Sequence, residues 1–455
     1  MTELAHRTPS PADGRPRPPL RARTPTAIRW LAPLAVFGAL FLVLAALNRL
    51  SEPAGPDAPP DLAALPLGDT EAQVEILQDA LAADPADAHL AALLGGAYYQ
   101  RARETADPAY YTRADEAYSE ALGNDPAQVE ALAGQATLAL ARHDFAGGLE
   151  LARRAHALEP ALVAPYAPLV DAQIELGRYG AAERTLGRML ALKPNLGSYA
   201  RASYYRELHG DLPGSLQAMQ LAADAGAGAP EAQAYVQSLL GKLEIDLGNY
   251  GAADRAYRQA LAGDPDYGPA LAGRARIDAI RGEYDRAIAG YRAVIDRLPL
   301  PEYAIALGET AEAAGKLAEA ERAYALVAVE ARLLASGGVN TDVDLALFEA
   351  DHGSAGRAVV LGRRAMEAAP SVRSADALSW ALHRAGRHAA ASKISAQAMR
   401  LGSRDPFFLF HAGMIARASG DSAEARRLLG ALVAQSPRFS PLYGPQAERA
   451  LGGLG

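Results

Sequence analysis

A glycine returns along this chain at a nearly constant interval. It stands at Gly177, Gly210, Gly248, Gly282, Gly315, Gly353, Gly386 and Gly420, with intervals of 33, 38, 34, 33, 38, 33 and 34 residues. Five residues after each comes a small side chain: Ala182, Ser215, Ala253, Ala287, Ala320, Ala358, Ala391 and Ala425. The stretch 248–265, GNYGAADRAYRQALAGDP, displays the unit. Ala253, Tyr257 and Ala260 recur at the spacing of one helical face. Pro265 then stops the run, as Pro126, Pro160, Pro194, Pro299, Pro370 and Pro437 stop others. Such a chain does not build one compact core; each unit buries its apolar face on its neighbours.

Glycine, alanine, aromatic and proline in this order, at a period near 34, resemble the tetratricopeptide repeat. The resemblance implies an all-α superhelical solenoid of paired helices. The residues support it independently. Glycine ends a first helix by taking positive φ. Alanine lets the second helix approach, a tyrosine such as Tyr257, Tyr291 or Tyr324 fills the gap, and proline ends it. Counting units predicts a lone second helix from Thr70, then ten pairs over 69–440, with a capping helix in 441–455. Small insertions fall at 226–230 and 336–338.

Ahead of the array, residues 1–29 are rich in Pro and Arg and read as a disordered cytoplasmic tail. Residues 30–47, WLAPLAVFGALFLVLAAL, carry no charge over 18 positions. That length predicts a transmembrane helix. Residues 48–68, with Pro53, Pro56, Pro59, Pro60 and Pro66, form a semi-extended linker. Residues 1–50 hold seven arginines and two acids, a charge of +5, which leaves −13 for the rest of a chain whose net charge is −8. Basic residues before the span predict a single-pass cell-membrane protein, N-terminus in the cytoplasm and repeats outside. A cleaved signal and a secreted array is the alternative. Arginine in place of lysine, with much alanine, points to a high-GC bacterial source.

The chemistry-bearing motifs fail one by one. The chain has no cysteine, hence no disulfide or thiolate site. Residues 226–231 lack the last glycine of a dinucleotide loop, and Gly241-Lys242-Leu243 lacks the rest of a P-loop. Gly353-Ser354 lacks a nucleophile-elbow frame. The nine histidines are scattered. An acidic array also makes a poor nucleic-acid partner. The reading is no enzyme, no cofactor and no metal, but a scaffold for a protein or peptide partner, with envelope assembly or secretion as its setting; a non-catalytic accessory subunit of an enzyme is the alternative.

The resemblance implies that peptides lie in an inner groove lined by first helices. Its register places Asp376, Trp380 and His383 there in the ninth pair, and Phe407, Phe410, Met414 and Arg417 in the tenth. Aromatic residues, Met and Arg favour interface cores. Packing between helices is the competing role for Trp380 and the phenylalanines. Glu302, Glu309 and Glu312 read as an ordinary solvated face. The clamp by which some family members hold a carboxylate needs an ordered set of Lys, Asn and Arg in the first helices; here lysine occurs only at 193, 242, 316 and 393, so no such set is placed.

Overall fold

The computed structural model describes residues 69–105, 107–226 and 230–454. They contain twenty-two α-helices and no strand. Helix α1 (Thr70–Ala83) stands alone at the start. Ten pairs follow: α2 (Ala88–Thr105) with α3 (Ala109–Asn124), α4 (Val129–Ala141) with α5 (Phe145–Leu158), α6 (Tyr166–Glu175) with α7 (Tyr179–Leu192), α8 (Leu196–Leu208) with α9 (Leu212–Ala225), and α10 (Pro230–Asp246) with α11 (Tyr250–Gly263). Then come α12 (Gly268–Ile280) with α13 (Tyr284–Ile295), α14 (Pro301–Ala313) with α15 (Leu317–Ser336), α16 (Asp342–His352) with α17 (Ala355–Ala368), α18 (Val372–Arg384) with α19 (His388–Ala398), and α20 (Pro406–Ala418) with α21 (Ser422–Gln435). A short α22 (Gly444–Gly452) follows the last pair. The tail, span and linker expected over 1–68 lie outside the described residues. Among the described residues no helix is long and apolar enough to cross a membrane.

The helices start and stop for local reasons. Asp69, Asp144, Asp211 and Asp421 each accept a backbone N–H of the first turn, and Asn195 forms a reciprocal capping box with Ser198. Seven of the eight register glycines take φ between 68° and 83°. Gly353 departs, at φ −135°. Its turn is closed instead by the Ser354 N–H, which donates to the Glu349 carboxylate at 2.9 Å. In the second pair, where the register has no glycine, His143 takes the left-handed place at φ 59°.

Packing within the stack follows the small-residue register. Tyr257 is buried between α10 and α12. A Cβ at Gly241 would fall 2.5 Å from its ring, and one at Gly273 closer still. Ala253 lies fully buried in the same cluster. Tyr118 fills the corresponding space against Gly95 and Gly134. Glycine and alanine therefore make room for a large ring, and each large apolar side chain so buried contributes roughly 1.5–3 kcal/mol.

The stack coils so tightly that its two turns touch. The Tyr179 hydroxyl accepts the Val372 N–H at 2.8 Å, across 193 residues. Ser436 Oγ donates to Ile245 O at 2.8 Å, and the Tyr250 hydroxyl accepts the Arg438 N–H at 3.0 Å. The Asn340 N–H donates to Arg142 O, and Arg142 Nε to Gly337 O, both at 3.0 Å. Thus the turn inside pair 2 meets the start of pair 8, that of pair 3 the start of pair 9, that of pair 4 the start of pair 10, and that of pair 5 the end of pair 10. Backbones approach closely along this seam. A Cβ at Gly177 would fall 2.5 Å from Pro370 O, and at Gly210 or Gly248 it would collide with Gly402 O or Gln435 O. At Gly282, Gly315, Gly386 and Gly420 a Cβ would meet nothing within 4 Å.

Candidate functional site

The residues expected to line the groove in pairs 9 and 10 come together, but three of them are interior. Trp380 is 2% exposed. Its ring stacks on His383 and His411, with centroids 4.9 and 4.4 Å away, and its Nε1 donates to Asp351 Oδ1 at 2.9 Å. Asp376 is buried and hydrogen-bonds His411 Nδ1 at 2.8 Å. Phe410 is buried against Phe439 and Tyr443. A partner's anchor must present its ring to solvent, and Trp380 and Phe410 do not: packing, the competing role, is the one they fill. His383, Phe407 and Met414 are half-buried, and Arg417 is exposed. The sequence register has no means of showing that Phe439 and Tyr443 pack against Phe407 and Phe410.

Electrostatics in this cluster follow from burial. Burial opposes the His411 imidazolium, but Asp376 more than offsets it and holds His411 above the usual histidine range. For His383 burial prevails, with His388 and Arg384 adding repulsion, and its pKa falls to about 4. The Nδ1 atoms of His383 and His388 are buried without hydrogen-bond partners. Asp376, His383 and His411 offer an ion pair and a neutral imidazole around an indole, which is the make-up of a packed polar core.

Glu309 and Glu312, expected on a solvated face, border a buried imidazole instead. His352 Nε2 lies 3.4 Å from Glu309 and 3.4 Å from the Tyr443 hydroxyl, and its ring stacks on Tyr324 at 4.1 Å. The Tyr324 hydroxyl donates to Glu312 at 2.9 Å. Burial raises the Glu309 carboxyl, partly countered by His352.

Charged side chains link first helices of neighbouring pairs and, in one case, of distant pairs. Arg103 of α2 pairs with Glu231 of α10 at 3.7 Å, and its guanidinium lies 5.8 Å from the Tyr235 ring centroid. Arg201 of α8 forms a two-pronged pair with Asp171 of α6, at 2.9 and 2.7 Å. Lys242 of α10 bonds Glu207 at 2.9 Å and Asp246 at 2.7 Å. Asp405, the cap of α20, has a carboxylate oxygen within 4.8 Å of those of Glu207 and Asp246. Three carboxylates so close form a cation cradle, and the Lys242 ammonium is its cation. Burial opposes the ammonium, yet Asp246 and Glu207 outweigh it and keep it charged. Burial and Asp246 push Asp405 up to about 6. Sequence reasoning passed over this node, although a rare lysine four residues before an aspartate was a usable signal.

Residues 234–267, most of α10 and all of α11, match the family model described as Tetratricopeptide repeat. No curated protein matches the chain by sequence. Among solved structures it is similar to a chain of the APC/C hetero-tetramer Cut9-Hcn1, at 18% identity and a TM-score of 0.37, over 85% of this chain and 83% of that one. It is similar to a tetratricopeptide repeat protein from Parabacteroides merdae at 18% identity and 0.38, over 56% and 98%. To yeast Tom70 the identity is 12% and the TM-score 0.34, over 85% and 92%.

Proposed function

Because the chain is a tetratricopeptide repeat protein, we propose that it serves as a non-catalytic scaffold, tethered to the cell membrane by residues 30–47, whose coil holds a segment of another protein outside the cytoplasm. Arrays of this type offer long curved surfaces suited to protein partners. One observation carries the reading: charged and aromatic side chains of first helices from pairs far apart in sequence converge, as Arg103, Glu231 and Tyr235 do. Such a wall offers many weak contacts to an extended chain. Of the seven residues first placed in the groove, His383, Phe407, Met414 and Arg417 keep accessible surface and form its rim in the last pairs.

Two experiments test this. A photoreactive side chain at Tyr235 is expected to cross-link a protein partner that the same group at Leu158, an exposed position, does not reach. Equal labelling from both positions would sink the groove. The tether rests on 18 uncharged residues flanked by arginines. Protease added after outer-envelope permeabilisation is expected to digest the repeats, and protection until the inner membrane breaks would reverse the orientation.

A further inference from the structure

The large apolar side chains left open to solvent are unevenly spread. Among the described residues, α1, α5, α7, α9 and α17 each leave one exposed, whereas α15 leaves four. Three of these, Leu326, Val329 and Leu333, follow one another at i, i+3 and i+7 and so share one face. They are 39, 52 and 44% exposed. Helix α15 is also the longest second helix described, at 20 residues against 11 to 16 in the others. Leu326 carries the face into a cleft of about 240 Å³, walled also by Ile295, Leu307 and Ala323. A contiguous aliphatic row without a neighbour marks a docking surface.

The chain itself supplies an occupant. The described residues open at Asp69, and Thr70 Oγ1 donates to Glu104 Oε1 at 2.6 Å. Four residues past Glu104, Pro108 meets the end of α15: a Cβ at Gly337, the residue after that helix, would fall 2.7 Å from Pro108 Cβ. Leu333 lies one helical turn, about 6 Å, back from Gly337. The first residues of the array and the foot of the apolar face are therefore neighbours. Immediately before Asp69 the sequence reads DLAALPLG, residues 61–68, with leucine at 62, 65 and 67; these lie outside the described residues. Eight residues of extended chain reach up to about 28 Å. A segment held so close acts at an effective concentration on the order of millimolar. A second copy of the chain acts only at its own concentration, which favours the segment.

We propose that residues 62–67 dock on the exposed face of α15, running from Leu333 past Val329 toward Leu326. The burial of aliphatic surface on both sides drives the contact. It joins the start of the array to pair 7 and fixes the direction in which the preceding chain leaves. It does not require residues 30–47 to span a membrane, so it stands or falls apart from the tether.

The chain has no cysteine, so a pair of introduced thiols reports alone. In the full-length protein, Leu65→Cys with Val329→Cys is expected to close a disulfide within one chain under mild oxidation. The control is Leu65→Cys with Glu116→Cys. Glu116 is exposed on α3 and stands eight residues past Pro108, as Val329 stands eight before Gly337. Docking is expected to close the first pair roughly tenfold or more faster than the second. Adding Leu326→Ser and Leu333→Ser to the first pair is expected to abolish that advantage; both sites are exposed, so the fold is left intact. Equal rates for the two pairs overturn the inference. An advantage that survives the two serines also overturns it, because proximity alone would then account for the disulfide. Disulfides that join two chains overturn it as well, and assign the face to a second copy.

Discussion

Trp380 shows how far a single residue's role is legible from its spacing. Its register position is one the resemblance assigns to the groove, and on spacing alone an indole there reads as an anchor. Its neighbours decide otherwise, since His383 and His411 stack on its ring and Asp351 takes its N–H. Trp380→Ala is accordingly expected to lower stability by about 3–5 kcal/mol, the range for losing a large buried aromatic. Chemical denaturation measures this, and a loss under about 1 kcal/mol would return the ring to the surface. Glu330 makes the second residue-scale prediction. Burial raises its folded pKa to about 7, above the ordinary carboxyl value of 4.5. Between those values the folded chain binds the proton more tightly than the unfolded chain, so stability falls as pH rises through the window. Glu330→Gln removes that loss. The variant is expected to gain on the unaltered protein from pH 4.5 to 7 and to hold the gain above; parallel melting curves across that range would contradict it. Nothing in the local sequence marks Glu330 as buried, because it lies in a helix whose exposed positions include the apolar Leu326, Val329 and Leu333.

At the scale of the element, the sequence was far more informative. The glycine and alanine register places the helix junctions, and ten pairs lie where ten were counted. Its one departure, Gly353, arises because Glu349 caps that turn, a long-side-chain device with no fixed spacing. His143 escapes the register because a glycine count does not include it, although histidine is one of the few other types enriched in left-handed turns. What holds neighbouring pairs together is also legible, as aromatic rings set against residues without side chains. Tyr257 between Gly241 and Gly273 tests this. Its hydroxyl makes no hydrogen bond within the described residues, so packing alone is at stake. Tyr257→Ala is expected to cost about 3–5 kcal/mol and Tyr257→Phe almost nothing. A large loss in the phenylalanine variant would mean that the hydroxyl, rather than the ring, matters.

The whole molecule is the scale that sequence period does not reach. A period near 34 sets the stacking of neighbours; the pitch of the coil depends on small rotations summed over many pairs, and contacts across 186 to 197 residues leave no local trace. The consequence is that glycines alike in sequence do two jobs. All of Gly177, Gly210, Gly248, Gly282, Gly315 and Gly386 have positive φ, so alanine at any of them meets the same backbone strain. Only the first three also bring their Cα against the carbonyls of the next turn. This supplies a matched control. The triple variant Gly282→Ala, Gly315→Ala, Gly386→Ala carries the strain alone and is expected to keep the coil closed. The triple variant Gly177→Ala, Gly210→Ala, Gly248→Ala carries the strain and a collision at each junction. Its seam is expected to part, with a larger radius of gyration by small-angle scattering and faster amide exchange at Val372 and Arg438, whose N–H groups bond across it. Because α13 to α15 lie in the chain between the two sides of the seam, their local hydrogen bonds are expected to survive. Equal radii and equal exchange in the two triple variants would mean that the turns touch without holding each other, and that the coil is set by its neighbour-to-neighbour packing alone.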